Sequence, residues 1–235
     1  MPMADIVIRE CVSIDELDSC VRLQREAFGL PELEISPRRH LIVSRQAGGW
    51  TLGAFVDERL VGFVHHLAAI RGSEIFGYSH MMAVDPDFQN KGVGARLKWQ
   101  QRERAIKEGR DFIKWTWDPM QARNAYFNLN RLGVTVGSYA VNFYGTDYPT
   151  SPSTSTSTST PNVEAPGIDS DRLFANWQLM SPRVIGLANG NSPAAEPLQV
   201  KPAASIEIPA NWSNLCRADA PRAGASAPGH NPRVR

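Results

Sequence analysis

The sequence predicts an α/β (α+β) fold, a mixed sheet with helices on its faces. Three observations carry that prediction. Period-two strand patterns and period-3.6 helix patterns interleave over most of the chain. Three strand patterns run consecutively from Trp50. The third enters a glycine turn that opens a long helix, and a further strand and helix follow.

Taken in order, "IVIREC" (residues 6–11) alternates as a first strand. Ser13 then caps a helix, and Glu16, three residues on, completes a capping box. Ile14, Leu17, Val21 and Phe28 recur at helical spacing as its expected buried stripe, with an end near Gly29, Leu30 and Pro31. A less regular helix is expected over 37–46. "WTLGAFVD" and "RLVGFVHHLAAI" are strands joined by a turn at Asp57 and Glu58. "GYSHMMAV" (77–84) is the third strand, stopped by Asp85, Pro86 and Asp87, and the next helix runs from about Gly92 to Gly109. "FIKWTWD" is a strand, "ARNAYFNLNRLG" a short helix ending on Gly133, and "VTVGSYAVNFYG" another strand.

Residues 150–167, "TSPSTSTSTSTPNVEAPG", are of low complexity and cannot build a core; they mark an inserted loop at about 146–170. "RLFANWQLMSPRV" (172–184) then regains strand character, so one domain is expected over 1–184. Residues 185–235 form a largely irregular extension, with one strand pattern in "SIEIPA" (205–210). Its end, "RADAPRAGASAPGHNPRVR", is nearly free of large apolar residues and is expected to be disordered.

The 235 residues are 42% hydrophobic, enough for a core of ordinary size. With 25 basic and 24 acidic residues the net charge is +1, which gives no global pull toward nucleic acid or membrane. Any anion site must be local. Cys11, Cys20 and Cys216 are odd in number and lack metal-ligand spacing, which argues against a disulfide framework or a zinc site and for a reducing, cytoplasmic setting. No signal-peptide pattern and no run of membrane-spanning length is present, so the sequon Asn211-Trp212-Ser213 reads as accidental.

"DFQNKGVGARLKWQQRERAIKEG" (87–109) concentrates the chemistry. In a Gln-x-x-Gly-x-Gly turn the glycines let the backbone approach an anion, and successive amides point into the turn. The helix N-terminus adds roughly half a positive charge. The donors are the amides of Asn90, Lys91, Gly92, Val93, Gly94 and Ala95, with Gln89 fixing the loop and Arg96 and Lys98 in reach of phosphates. The same stretch also reads as a turn opening a solvated helix. Seven basic against two acidic residues between 91 and 110 fit a solvated face.

"MMAVDPDFQNKGVGARL" and "NAYFNLNRLGV" resemble the GNAT superfamily of acyl-CoA-dependent N-acyltransferases, over about residues 5–184. Within it, "IKWTWDPMQARNAYFNLNRLG" and "NFYG" resemble a poorly characterised subgroup of predicted acetyltransferases. The resemblance implies a splayed central sheet, in which "SHMMAV" parts from "FIKWTWD" and main-chain groups of Met82, Ala83 and Val84 meet a pantetheine arm. It also implies acetyl-CoA or another acyl-CoA, succinyl-CoA included, as co-substrate, with no metal. The implied acceptor is a small-molecule amine or amino acid, and a homodimer is a state common among members; the charge balance adds the expectation that nucleic acid and membrane are not partners.

An amine attacking a thioester needs a base for the ammonium, a donor for the oxyanion and a proton for the thiolate. His80, two residues before Met82, is the candidate base, with a structural histidine as the alternative. His65 and His66 are adjacent on one strand, so only one can face a cleft. Asp118 either binds the substrate amine, relays a proton, or holds the turn ahead of Pro119. The family pattern Asn-x-x-Ala-x-x-x-Tyr-x-x-x-Gly is not kept: counting back from Gly133 places Leu129 at the tyrosine and Ala122 at the asparagine. Tyr126 or water is then the proton donor, and Asn124 or Asn128 replaces the asparagine. Trp115 and Trp117 are core residues, or one of them lines the cleft for an apolar acceptor. Related chains continue into a further helical region, so a truncated or frameshifted tail is an expectation. These departures leave open a catalytically impaired CoA-binding or interaction module of the same fold.

Overall fold

The computed structural model describes residues 5–28, 30, 32–145, 169–192, 207–209 and 212. The low-complexity insertion at 150–167, Gly29, Pro31, half of the strand pattern at 205–210 and the closing tail lie outside the described residues, and residues 207–209 of that pattern are in no strand. Seven strands form one mixed sheet: β1 (Val7–Glu10), β2 (Trp50–Val56), β3 (Arg59–Arg71), β4 (Glu74–Val84), β5 (Phe112–Trp117), β6 (Thr135–Ala140) and β7 (Arg172–Gln178). Their order is β1-β2-β3-β4-β5-β7-β6. Pairing is antiparallel from β1 to β4 and between β6 and β7, and parallel between β4 and β5. The helices are α1 (Ile14–Phe28), α2 (Arg38–Gln46), α3 (Val93–Lys107), α4 (Ala122–Tyr126) and α5 (Pro182–Ala188). The mixed sheet with flanking helices is the fold class expected from the pattern.

The described residues fall into two compact units. The first holds those up to Trp115 together with Trp177–Met180; the second begins at Thr116 and holds the rest.

In the first unit, the capping box forms as its sequence dictates: Ser13 Oγ accepts from Glu16 N at 3.2 Å, and Glu16 Oε2 accepts from Ser13 N at 3.0 Å. Leu17, Cys20, Val21 and Leu23 of α1 pack with Leu41, Phe55 and Phe63. Ile14 is 51% exposed and lies outside the stripe, because the buried face of α1 begins at Leu17. Residues pointing the other way from β2 and β3, among them Leu52, Ala54 and Val64, pack with Trp50, Val93 and Leu97. Alternation through two central strands thus gives the sheet one apolar layer under α1 and α2 and another under α3.

In the second unit, α4 passes into a π-helical turn, Phe127–Arg131, and Gly133 ends it with φ +73°. The stretch 172–184, expected as strand throughout, changes at Gln178. Ser181 Oγ accepts from Val184 N, and Pro182 opens α5, an N-cap and first-turn pair that favours helix. Tyr139 donates its hydroxyl to the Asp171 carboxylate, whose other oxygen accepts from Asn142 N at 2.9 Å. Among the described residues, no helix is long and apolar enough to cross a membrane.

Candidate active site

Strand β4 is held on both sides for only part of its length. Gly77 and Tyr78 pair with Ile113 and Lys114 of β5, and beyond them β4 runs on to Val84 with no further register to β5 among the described residues. Such a splay leaves main-chain donors and acceptors of β4 without a neighbouring strand. On its other edge, Ser79 pairs with His66 and Met81 with His65, so His80 is the extra residue of a β-bulge. A bulge re-aims the residue it inserts, and these features recur beside active sites.

His80 keeps solvent access, and its Nε2 is 3.4 Å from Ser36 Oγ. Its ring lies 5.4 Å from that of His40 and 6.1 Å from that of His65. Desolvation by the surrounding atoms, then the charge of His40, lowers its pKa. His80 is therefore a free base at neutral pH. His65 is buried between Ser44 Oγ, 3.1 Å from Nε2, and Thr51 Oγ1, 2.8 Å from Nδ1. Burial, then His80 and His40, pushes its pKa down to about 3, so it stays neutral. His40 was not singled out from the sequence.

His66 packs toward α3, stacked on Trp50 with centroids 4.1 Å apart, and burial pushes its pKa down to about 2. Its Nδ1 is 3.3 Å from Gln101 Nε2, and Gln101 Oε1 accepts from Lys98 Nζ at 3.1 Å. Lys98 also donates to Ser79 Oγ at 2.7 Å and lies 3.8 Å from the centre of the Trp115 ring. The expectation of a mostly solvated basic helix is thus corrected: Lys98, Arg102 and Arg110 are all buried. The stems of Lys98 and Arg102 lie on the same stripe of α3 as Leu97 and Ala105, and all three heads find partners within the fold. Arg102 donates to Leu179 O at 2.8 Å and pairs with Glu103; Arg110 pairs with Glu108. Lys98 consequently faces the sheet and not the phosphate turn.

The turn itself is built from β4 outward. Arg59 and the Asp87 amide hold Asp85, and Gln89 Nε2 donates to Val84 O at 3.1 Å, which fixes the loop to the strand end. Asn90 and Gly92 take left-handed φ of +60° and +81°. Gly92 is the N-cap of α3 and provides no side-chain cap, so the first-turn amides of Val93, Gly94 and Ala95 have no side chain closing over them. Lys91 lies over the Phe88 ring, and Arg96 donates to Ile6 O at 2.7 Å. Met82 and Val84 flank Gly94, and Ala83 between them is buried.

In the second unit, Asp118 Oδ1 accepts from Met120 N at 2.8 Å, which makes its carboxylate an anchor of the turn before α4. Burial raises its pKa, and the Met120 amide, Arg172, Gln121 and Trp212 oppose that rise. Tyr126 is 57% exposed, Asn124 is exposed and Asn128 is buried. The π-helical turn after Tyr126 makes a count at 3.6 residues per turn from Gly133 unreliable for assigning helix faces.

Residues 17–130 match the family model described as the acetyltransferase (GNAT) family. Over those residues the chain is similar to the GNAT family. No curated protein matches it. Among solved structures, it is similar to a putative GNAT acetyltransferase from Desulfovibrio desulfuricans, at 14% identity and TM-score 0.58, covering 74% of this chain and 99% of that one. The ribosomal-protein-S18-alanine N-acetyltransferase of Escherichia coli matches at 14% identity and TM-score 0.55, covering 74% and 94%. A GNAT acetyltransferase from Elizabethkingia anophelis, with acetyl-CoA bound, matches at 17% identity and TM-score 0.52, covering 74% and 97%.

The residues of the Gly92 turn and the β4 edge fit a CoA molecule. A Cβ placed on Gly92 meets nothing within 4 Å, so the turn is open on that side, and the uncapped amides of α3 suit a pyrophosphate. The unpaired edge of β4 supplies main-chain partners for an extended amide-bearing arm. Among the described residues, no group of three or more His, Cys, Asp or Glu side chains is placed to hold a metal ion.

Proposed function

We propose that the protein is an acyl-CoA-dependent N-acyltransferase that moves an acetyl or succinyl group to the amine of a small molecule or amino acid. The single observation that carries this is the meeting of the β4 splay with the uncapped N-terminus of α3. In this reading CoA supplies a thioester activated toward amines. The amides from Asn90 to Ala95 hold the pyrophosphate, with Gln89 keeping the loop in place and Met82 to Val84 aligning the pantetheine arm.

His80 takes a proton from the acceptor ammonium, directly or through one water. A pKa below the usual histidine range means it begins unprotonated at neutral pH. Tyr126 is the proposed donor to the departing thiolate, and Asn124 or Asn128 a further cofactor contact; these roles rest on the resemblance. The Asp118 carboxylate is proposed to act on the substrate amine only in addition to its turn contact. Leu129, standing where the family pattern has tyrosine, favours the second reading, a CoA-binding module with impaired catalysis.

The test is thiol release from acetyl-CoA and succinyl-CoA across a panel of amino acids and small amines. Amine-dependent release that falls at least about a hundredfold in His80→Gln, with CoA affinity unchanged, is the expected result. Tight CoA binding without release on any amine supports the non-catalytic module instead.

A further inference from the structure

The ammonium of Lys98 is a buried charge of the first unit that the proposed chemistry does not use. The residue is 3% exposed. Its two hydrogen-bond acceptors, Ser79 Oγ and Gln101 Oε1, are neutral, and its third contact is the face of Trp115. Arg102 and Arg110, also buried, pair with Glu103 and Glu108, whereas Lys98 has no carboxylate partner among the described residues. The Gln101 amide is oriented by its contact with the neutral His66 ring, so it presents its oxygen to Lys98. A buried cation held only by neutral groups is costly unless an anion completes it.

Its place in the fold indicates which anion. Tyr78 and Lys114 form the last β4–β5 pair, and Ser79 and Trp115 are the next residue on each strand. Lys98 Nζ touches both, so it lies at the vertex of the splay. This inference rests on the proposed CoA site: with pyrophosphate at Gly92 and pantetheine along β4 from Val84 toward His80, the acyl end lies toward that vertex. The geometry points to Lys98 as the residue that selects the acyl group, favouring CoA monothioesters of short dicarboxylic acids, whose free carboxylate pairs with Nζ. The ammonium's three N–H bonds permit this: Ser79 and Gln101 take two, and the third, against the Trp115 face, is the one a carboxylate would take over. Burial lowers the Lys98 pKa to about 7, and a carboxylate partner reverses that shift.

The experiment is calorimetric titration of the full chain with CoA, acetyl-CoA, butyryl-CoA and succinyl-CoA, below pH 7 where the ammonium is charged. Butyryl-CoA has the same carbon count as succinyl-CoA and no carboxylate. The wild-type protein is expected to bind succinyl-CoA at least about tenfold more tightly than butyryl-CoA. Lys98→Met removes that preference and leaves the affinity for free CoA unchanged; Lys98→Gln serves if the methionine variant does not fold. Equal or weaker binding of succinyl-CoA by the wild type overturns the assignment, and so does a preference that survives in the variant. CoA and acetyl-CoA binding without a succinyl preference refutes this inference alone. Failure of all four to bind refutes the CoA site and this inference with it.

Discussion

Lys98 Nζ donates to Ser79 Oγ across 2.7 Å, and both residues are buried between α3 and the sheet. The bond joins the helix that follows the glycine turn to the strand that lines the splay. It also leaves a charge where apolar packing is the rule.

That charge makes stability depend on pH. The ammonium titrates at about 7 in the folded chain, against an ordinary value of 10.5, because burial disfavours the charged form. Between those values the unfolded chain binds a proton that the folded chain does not, so stability rises with pH. The stability advantage of Lys98→Met over wild type is therefore expected to be largest at or below pH 7 and to shrink toward pH 10.5. Urea unfolding of both proteins across that range checks it; parallel curves contradict it.

His65 and His66 act in a lower window. Their folded values of about 3 and about 2 lie below the ordinary 6.5, with burial the first cause of each. The stability they represent is fully present above pH 6.5 and is lost as pH falls toward 3, where the unfolded chain takes up protons the folded one refuses. NMR titration of the imidazole carbons should show both rings neutral at pH 5. A midpoint near 6.5 for either ring would be inconsistent with the buried environment described.

The start of α1 depends on a reciprocal pair. Burial alone would raise the Glu16 pKa, but the amides of Ser13 and Val12 and the Arg9 guanidinium bring it down to about 2. Its contribution is present above pH 4.5 and lost as pH falls through 2. Ser13→Ala, which removes the other half of the box, is expected to cost about 1 kcal/mol in denaturant unfolding at neutral pH. No measurable loss would mean that Ser13 does not act as the cap.

Gly77 abuts the His66 ring, and a methyl group there overlaps Cε1. Gly77→Ala is expected to destabilise the chain by about 1–3 kcal/mol and to change the near-ultraviolet dichroism of Trp50, on which His66 stacks. An unchanged spectrum with unchanged stability contradicts this packing.

Much of the fold was legible because its signals are local. The capping box at Ser13 and Glu16, the turn at Asp57 and Glu58 and the period-two runs of β2 and β3 each fix an element within a few residues. The burial of Lys98, Gln101 and Arg102 was not legible in that way. They occupy core-facing positions of α3 beside Leu97 and Ala105, so a polarity rule places them on the wrong face. The start of α5 was hidden because Ser181 and Pro182 directly follow Leu179 and Met180, an apolar pair that prolongs the strand pattern past the end of β7 at Gln178. The π-helical turn after Tyr126 depends on hydrogen bonds that no residue spacing announces. His40 becomes conspicuous only once α2 has brought it beside His65 and His80.

The central claim is that the Gly92 turn and the β4 edge hold CoA. The direct measurement is calorimetric titration of the wild-type chain, Gly94→Ala and Gly94→Glu with CoA. A Cβ on Gly94 makes only an ordinary contact with Met82, so Gly94→Ala retains the fold, and Gly94→Glu, its fold checked by circular dichroism, adds a carboxylate at the turn. Saturable binding to wild type and Gly94→Ala, with at least about a hundredfold loss in Gly94→Glu, is the predicted result. Absence of binding to the wild type, or equal binding to Gly94→Glu, would contradict it.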